Sequence, residues 1–343
     1  MLDDLKIIHK RDKSDALGIA EKQWQQLKQD FSQVPAVNKG EFTDIVLAGM
    51  GGSGLAARLV THIYKLLKPF EILQEYEIPP YVDADTLFIA SSYSGNTEEV
   101  LAALERAEAR GAKIAVIAAG GKLAEIARKQ DYPLYKLPGG MQPRMATFAN
   151  FAALVQLFVS NNLVAAESID ELHDAGEWLG TKIGNWLPDV ATAKNQSKQL
   201  AQECIGLSPV IYGGPLLYPV AYKWKIGFNE NAKNVAWCDQ FSEFDHNEIE
   251  GWTSHPVDKP YRIIYLHSSF DNDKIAKRFE LTKQLLSGKW PYPTEVTAIG
   301  DTRLRQVLWT VTLGDFVSLY TAILNNIDPT PVPVMEKLKK ELA

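Results

Sequence analysis

Hydroxyl side chains are concentrated in one short stretch of the sequence, SSYSGNT, which covers residues 91–97. The stretch follows an apolar run over residues 86–90 and precedes a helical pattern that begins near Thr97. Ser92, Ser94 and Thr97 could donate hydrogen bonds to an anion, and the N–H groups and positive dipole end of the helix would point at the same place. The alternative is that the turn only caps the helix. Capping does not require three hydroxyl groups, so we favour a phosphate site.

A second turn of small residues, GMGGSG over residues 49–54, also lies between an apolar run and a helical pattern. The spacing of Gly49, Gly51 and Gly54 matches the GxGxxG of dinucleotide-binding turns, which is a weak signal alone. Dinucleotide-binding sites also have an acidic residue at the end of the next strand. Glutamates occur over residues 71–77, so this criterion does not exclude dinucleotide binding. Dinucleotide binding therefore stays an open alternative. A P-loop is excluded, because no Gly-Lys-Ser/Thr follows.

The second half of the chain contains a comparable turn, HSSFDND over residues 267–273. Asp271 and Asp273 in this turn would repel a phosphate. If the two halves are related, we expect only the first half to bind an anion.

The elements that position these turns are indicated by the apolar pattern. From residue 44 onwards, short apolar runs alternate with helical patterns, and runs without polar alternation suit strands buried on both faces of a parallel sheet. This order predicts doubly wound α/β layers, interrupted by a helical region over about 145–205 and resumed from residue 209. We predict four parts: an N-terminal helix and linker at 1–40, a first α/β subdomain with the phosphate site at 41–160, a helical connection at 161–205, and a second α/β subdomain with a C-terminal helix at 206–343.

The composition is that of an ordinary globular protein. Of 343 residues, 46% are hydrophobic and 23% are charged, with a formal net charge of -6. An acidic chain argues against nucleic acid as the partner, because phosphate backbones require a basic surface. No run of ~18 apolar residues predicts a membrane span, and residues 1–15 do not resemble a signal peptide. Two cysteines, Cys204 and Cys238, suit neither a disulfide framework nor a zinc site, so we expect a cytoplasmic protein.

Several motifs taken together resemble one known family, the bifunctional phosphoglucose/phosphomannose isomerases of the sugar isomerase (SIS) superfamily. The motifs are GMGGSG, SSYSGNT, Pro143-Arg-Met-Ala146, Phe228-Asn-Glu-Asn-Ala-Lys233 and His246-Asn-Glu-Ile-Glu-Gly-Trp252, followed by Gly314-Asp-Phe-Val-Ser318, Asp328-Pro-Thr-Pro331 and Leu338-Lys339. The small-residue turns alone indicate only a phosphosugar-binding fold, whereas FNENAK and HNEIEGW are much more specific. The resemblance covers the chain from about residue 40 to its end. It implies two SIS-type doubly wound subdomains, each a mainly parallel sheet flanked by helices.

The resemblance also implies an activity. The chain would be an aldose–ketose isomerase that interconverts glucose 6-phosphate and/or mannose 6-phosphate with fructose 6-phosphate through a cis-enediol, without a metal or cofactor. Its place would be in carbohydrate metabolism, in glycolysis or gluconeogenesis. No metal-ligand spacing such as HExxH occurs in the sequence. We expect the substrate phosphate to be bound by Gly52, Ser53, Ser92, Ser94 and Thr97.

Glu230, in the FNENAK motif, is the base that the resemblance implies. One carboxylate can take the proton from one carbon and return it to the next, as isomerisation between carbons 1 and 2 requires. The residues alone would equally suit a surface glutamate, although the apolar neighbours Phe228 and Ala232 make partial burial plausible.

His246, in the HNEIEGW motif, is the expected acid/base for ring opening, because histidine titrates in the useful range. The resemblance implies that this histidine acts in the neighbouring subunit's site, and hence a homodimer. The nearby His255 is a competing candidate, and any loop histidine can simply be solvated.

Arg144 and Lys339 complete the expected catalytic set. The resemblance places Arg144 near carbons 1 and 2, where its positive charge would stabilise an enediolate. Lys339 would assist ring opening, although Lys337 and Lys340 are adjacent alternatives and such clusters are often solvent-facing. Thr330 lies in the C-terminal segment that the resemblance implies closes the site, and its small side chain is compatible with both epimers.

Two alternatives stay open from the sequence. The chain could be a non-catalytic sugar-phosphate sensor, since SIS folds also serve in regulation, or an isomerase of another phosphosugar. The preferred epimer and the physiological direction are not encoded in any motif.

Overall fold

The computed structural model describes residues 1–37, 41–254 and 258–342. The chain divides into two compact units. We call Lys22–Gly180 the five-stranded unit, and Met1–Glu21 together with Thr181–Ala343 the four-stranded unit.

The N-terminal segment differs from the single helix and linker predicted at 1–40. It contains two short helices, α1 (Leu5–Arg11) and α2 (Ala16–Lys22), followed by a 3-10 helix at Gln23–Lys28. Asp12 separates α1 from α2, and its side chain accepts hydrogen bonds from the N–H groups of Ala16 and Leu17. An aspartate that caps the next helix therefore interrupts the predicted one. The four-part division at residues 40, 160 and 205 stays a prediction.

The five-stranded unit is a parallel α/β layer. Its elements are β1 (Asp44–Ala48), α3 (Gly51–Ile63), β2 (Phe70–Leu73), β3 (Thr86–Ser91), α4 (Glu98–Ala109), β4 (Lys113–Ala118), α5 (Gly121–Lys129), β5 (Leu134–Lys136), α6 (Thr147–Ser160) and most of α7 (Ser168–Ile183). The strand order is β2-β1-β3-β4-β5 and all four pairings are parallel. The order reverses between β1 and β3, which is where doubly wound sheets bind ligands, beyond the carboxyl ends of the strands.

The four-stranded unit repeats this plan. Its elements after α2 are α8 (Gln196–Glu203), β6 (Ser208–Gly213), α9 (Tyr218–Glu230), β7 (Trp237–Gln240), α10 (Glu248–Gly251), β8 (Tyr261–His267), α11 (Asp273–Leu285), β9 (Thr294–Thr297), α12 (Arg303–Leu324) and α13 (Pro333–Leu342). The order is β7-β6-β8-β9, again parallel throughout. The predicted fold class, two mainly parallel sheets each flanked by helices, is confirmed.

Burial explains why the strands have continuous apolar runs. All six residues of β3 are buried, as in a strand covered by helices on both faces. One face of the first sheet packs into a mainly aliphatic cluster with helices α4 and α5. The second sheet instead packs into a cluster rich in aromatic rings, among them Tyr212, Phe244 and Trp252.

Helix α12 is long and apolar enough, by length and composition, to cross a membrane. However, 94% of its most apolar window is buried inside the protein. We therefore interpret α12 as a core helix of the four-stranded unit, which packs against α8 and α9.

Candidate active site

The two small-residue turns of the five-stranded unit begin side by side. Ala48 pairs with Ala90 in the parallel register, so the turns after β1 and β3 leave neighbouring strands at the same edge of the sheet. This edge is also the point where the strand order reverses. The predicted phosphate-binding residues of both turns therefore lie at the position where this fold class binds ligands.

We call residues 91–97, SSYSGNT, the serine turn. Its hydroxyl groups lie within hydrogen-bond distance of one another. Ser92 is buried, and its Oγ lies 2.8 Å from Thr97 Oγ1 and accepts a hydrogen bond from the Gly95 N–H at 3.1 Å. Ser94 is exposed, and its Oγ accepts from the Asn96 N–H at 3.3 Å. The turn thus has a defined shape, with the exposed Ser94 close in the chain to the start of α4.

Side-chain capping does not explain these polar residues. Thr97 is the N-cap residue of α4, but its side chain makes no capping hydrogen bond. Asn96 Oδ1 instead accepts from the Lys122 N–H at 3.0 Å and so ties this turn to the turn after β4. The two turns approach so closely that a β-carbon on Gly95, whose φ is +70°, would lie 1.8 Å from the Gly120 carbonyl oxygen. The Thr97 side chain therefore does not cap α4, and phosphate binding at this turn stays a prediction.

Gly52, Ser53 and Arg144 come together at the start of α3. Gly52 and Ser53 are buried in the first turn of that helix. A β-carbon on Gly52 would lie 3.0 Å from the Pro143 carbonyl oxygen and 3.6 Å from Arg144 Cα. Arg144 belongs to a 3-10 helix, Pro143–Met145, and is only 2% exposed. It is therefore not a solvated surface charge, which was the alternative interpretation.

Glu230 is the last residue of α9 and is half-buried. The residues expected to shelter it, Phe228 and Ala232, are fully buried. The FNENAK motif thus combines buried apolar residues with a half-buried glutamate at a helix end.

Two polar contacts fix the end of α9. Asn231 is fully buried, and its Nδ2 donates to Ser318 Oγ of α12 at 2.9 Å. Lys233 donates from Nζ to the carbonyl oxygens of Asp328 and Pro329, both at 3.0 Å. These contacts explain why the motif continues beyond Glu230, because its later residues hold the helix end against α12 and the segment before α13.

A buried ion pair also joins α9 to α12. Lys223 and Asp315 are both nearly inaccessible to solvent, and Lys223 Nζ donates to Asp315 Oδ1. The sequence alone indicates no role for Asp315, Ser318 or Lys233. A signal for Asp315 was present, because an acidic residue within the apolar pattern of α12 requires a buried partner.

His246 and Lys339 lie on separate elements of the four-stranded unit. His246 is exposed at the end of a 3-10 helix, Glu243–His246, that follows β7. Lys339 is exposed on α13, as are Lys337 and Lys340, so exposure does not select one lysine. The competing candidate His255 lies outside the described residues.

The turn after β8 contains the half-buried Asp271. Asp271 Oδ2 accepts a hydrogen bond from the Ser268 N–H at 3.2 Å, and burial raises the pKa of the Asp271 carboxyl. Asp273 begins α11, which Asn272 caps. Asp271 and Asp273 thus lie at this turn as predicted from the sequence, and an anion site in the first half alone stays a prediction.

No group of three histidine, cysteine, aspartate or glutamate side chains within residues 1–37, 41–254 and 258–342 is arranged to hold a metal ion.

Comparison with family models gives two matches. Residues 43–163 match the SIS domain, and residues 193–342 match the bacterial phospho-glucose isomerase C-terminal SIS domain. The first match contains the glycine-rich and serine turns, and the second contains both specific motifs.

Individual proteins resemble the chain over most of its length. A bifunctional phosphoglucose/phosphomannose isomerase of Caldicellulosiruptor bescii is 37% identical over 90% of this chain and 91% of its own. A D-glucosamine-6-phosphate 4-epimerase of Sulfolobus acidocaldarius is 33% identical over 79% of this chain and 81% of its own. Among solved structures, a glucose-6-phosphate isomerase like protein from Thermus thermophilus superposes with a TM-score of 0.64 at 19% identity, covering 99% of this chain and 98% of that one.

Proposed function

The chain belongs to the bifunctional phosphoglucose/phosphomannose isomerase family and is an isomerase, and from this premise we propose that it interconverts glucose 6-phosphate and mannose 6-phosphate with fructose 6-phosphate. The reaction moves one proton between carbons 1 and 2 through a cis-enediol, without a metal ion or cofactor.

The observation that carries this proposal is the position and partial burial of Glu230. It is a half-buried carboxylate at a helix end that Asn231 and Lys233 hold in place. In the proposed mechanism Glu230 takes the proton from carbon 2 of the open-chain aldose and returns it to carbon 1 of the enediol. A second proton moves from the oxygen of carbon 2 to that of carbon 1. A fixed position benefits such a base, because proton transfer requires hydrogen-bond distance to both carbons.

Charge and hydrogen-bond donors complete the proposed mechanism. We assign substrate phosphate binding to Gly52, Ser53, Ser92, Ser94 and Thr97. We assign Arg144 to stabilisation of the negative charge that develops on the enediolate oxygen. Its burial supports this assignment, since a positive charge in low-dielectric surroundings acts more strongly than one in water.

Ring opening is assigned to His246 with the help of Lys339. We propose a homodimer in which His246 acts in the partner's site. Exposure of His246 within its own chain supports this. Helix α13 also supports it, because none of its residues is buried although Val334, Leu338 and Leu342 form an apolar stripe.

The proposed setting is cytoplasmic carbohydrate metabolism, in glycolysis or gluconeogenesis, with hexose 6-phosphates as the ligands. The two cysteines, Cys204 and Cys238, form no disulfide, which suits a reducing compartment.

The test is a coupled assay of each aldose phosphate in the presence of EDTA, reading the fructose 6-phosphate formed. We expect catalytic efficiencies on the two epimers within about tenfold of each other, or ~1.4 kcal/mol in transition-state energy. The segment at 328–331 includes the small, half-buried Thr330, which is compatible with room for rotation about the carbon 2–carbon 3 bond.

The epimerase relative makes isomerisation of another phosphosugar the second candidate. Activity on glucose 6-phosphate alone would restrict the enzyme to one epimer. Conversion of an amino-sugar phosphate, with neither hexose phosphate turned over, would favour the second candidate. Tight binding of phosphosugars without turnover of any of them would favour a sensor.

A further inference from the structure

The segment that carries His246, residues 242–254, lacks a long regular element. We call it the His246 segment. It contains the 3-10 helix Glu243–His246 and the short helix α10, of four residues each. Helices this short are unstable alone, because nucleation is not repaid by enough backbone hydrogen bonds. The position of His246 must therefore depend on side-chain anchors.

Two apolar anchors bracket His246. Phe244 is fully buried, and its ring centroid lies 4.7 Å from that of Tyr212. Trp252 is 7% exposed and lies 5.4 Å from the ring of Trp290. Both belong to the aromatic cluster behind the second sheet, so the segment is attached to the core before and after the histidine.

Polar anchors lie closer to His246 in the chain. On one side Asp245 accepts a hydrogen bond from Arg278 Nη1 at 2.7 Å and another from Thr282 Oγ1 at 3.1 Å. On the other side Glu248 Oε1 accepts a hydrogen bond from the Tyr212 hydroxyl. His246 itself is exposed between these two attachments.

Tyr212 connects two of the anchors. It lies in β6 and is fully buried, and its hydroxyl oxygen accepts a hydrogen bond from Trp252 Nε1 at 3.0 Å while its proton is donated to Glu248. One hydroxyl on a central strand thus holds two points of the His246 segment. A carboxylate in this aromatic surrounding is costly, and an apolar side chain would satisfy packing at lower cost. The arrangement therefore suggests a role beyond stability.

We propose that Tyr212 and Glu248 are positioning residues for ring opening, which fix the backbone of the His246 segment and thereby the reach of the His246 imidazole. This inference rests on the proposed function of His246. Neither residue needs to touch the substrate, since their effect passes through the backbone at residues 246–248.

The test uses Tyr212→Phe with Tyr265→Phe as its matched control. Tyr265 is equally buried in the same aromatic cluster, but its hydroxyl has no hydrogen-bond partner among the described residues. Tyr212→Phe should lower kcat on glucose 6-phosphate by about tenfold to a hundredfold with little change in KM, because misplacing a catalytic group mainly affects the chemical steps. Exchange between the anomers of glucose 6-phosphate, followed by NMR, should slow in parallel. Tyr265→Phe should retain the activity of the wild type.

Two further variants separate positioning from general damage. Glu248→Gln keeps an acceptor oxygen for the Tyr212 hydroxyl and should retain more activity than Glu248→Leu. In the double variant Tyr212→Phe with His246→Ala, the loss should equal that of His246→Ala alone, because a misplaced histidine cannot cost more than an absent one. Independent, multiplicative losses would overturn the inference, as would equal kcat values for Tyr212→Phe and Tyr265→Phe.

The activities of His246→Ala and Tyr212→Phe distinguish an error in the positioning role from an error in the proposed role of His246. If His246→Ala loses activity and Tyr212→Phe does not, only the positioning role is wrong. If His246→Ala itself keeps near-normal kcat and anomer exchange, the ring-opening assignment is wrong and the positioning role falls with it.

Discussion

Gly314 of α12 lies directly against Trp224 of α9, so that a β-carbon at position 314 would be 2.1 Å from Trp224 Nε1. The indole is fully buried and donates from Nε1 to the Thr310 carbonyl oxygen at 2.8 Å. The two helices are thus in contact through a position where any side chain larger than glycine collides with a fixed ring.

Gly314→Ala should therefore destabilise the protein. We expect a loss of about 1–3 kcal/mol in the free energy of unfolding, since overpacking a core forces the neighbours to move. Because α9 ends at Glu230, kcat should fall as well. Urea denaturation and the isomerase assay measure the two effects. Gly184→Ala is the control, because a β-carbon there meets nothing within 4 Å. Equal stability of the two variants would mean that α9 and α12 adjust freely.

The contact also shows what the sequence could and could not reveal. The motif at 314–318 was visible as a pattern, but its purpose depends on α9. Gly314 leaves room for the Trp224 ring, and Asp315 forms an ion pair with Lys223. Ser318 accepts a hydrogen bond from Asn231, and these two residues are 87 positions apart in the chain. The apolar periodicity of a sequence reports which face of one helix or strand is buried. It does not reveal which residues of α9 contact which residues of α12.

The sequence predicted β3, in which burial is complete. β3 is buried throughout and was recognisable as an uninterrupted apolar run. β5 has three residues and β7 has four, each with exposed or half-buried positions, and neither was predicted. Both are edge strands, which bury less surface and so leave a weaker signal. The C-terminal helix predicted at the end of the second subdomain is confirmed and covers Pro333–Leu342.

The candidate site residues were predicted from their residue types, because the sequence does not show how deeply each side chain is buried. The hydroxyl-rich turn was visible because its composition is unusual for a strand-to-helix turn. The burial of Arg144 was not visible, because a lone arginine after a proline suits a solvated loop equally well. The roles of the site residues themselves stay predictions, and the following experiments address them.

Substrate phosphate binding should depend on the serine turn. Ser94→Ala combined with Thr97→Val removes two hydroxyls, one of which lies within hydrogen-bond distance of Ser92 Oγ, and leaves the Gly95 N–H as a partner of Ser92 Oγ. KM for fructose 6-phosphate should rise by an amount equivalent to roughly 1–3 kcal/mol of lost hydrogen bonding, with a smaller effect on kcat. The exposed Ser287→Ala serves as a control. An unchanged KM, with the fold shown to be intact by circular dichroism, would mean that this turn does not bind the substrate phosphate.

Loss of the Glu230 carboxylate should stop proton transfer while leaving binding intact. Glu230→Gln keeps the shape of the side chain, so kcat should fall by roughly two decades or more. In heavy water the wild type should introduce deuterium at carbon 2 of the aldose phosphate, and the variant should not. If the variant incorporates deuterium at the normal rate, another group is the base.

The stability of the protein should carry a pH dependence that originates at Glu248. Burial raises the pKa of Glu248 above its ordinary value of 4.5, and the nearby Asp239 carboxylate raises it further, against the lowering effect of the Tyr212 hydrogen bond. A carboxyl with a raised pKa in the folded state binds its proton more tightly there. Its contribution to the free energy of unfolding is therefore complete below the ordinary pKa and is lost as the pH rises through the raised pKa.

Glu248→Gln should remove that pH dependence, because the amide does not titrate. Relative to the wild type, the free energy of unfolding of the variant should increase as the pH rises from about 4 to about 7. Urea denaturation at both pH values measures the difference. A difference that stays constant between the two pH values would mean that Glu248 titrates normally in the folded protein.

The proposed homodimer predicts that two inactive chains can restore activity together. Glu230→Gln and His246→Ala chains, each inactive alone, should regain activity when co-expressed or refolded as a mixture. If His246 acts in the partner's site, one site of the mixed dimer contains both intact groups and the other contains neither. Verified mixed dimers should therefore approach half the specific activity of the wild type. Their complete inactivity would mean that Glu230 and His246 act within one chain, because every site would then lack one of the two groups.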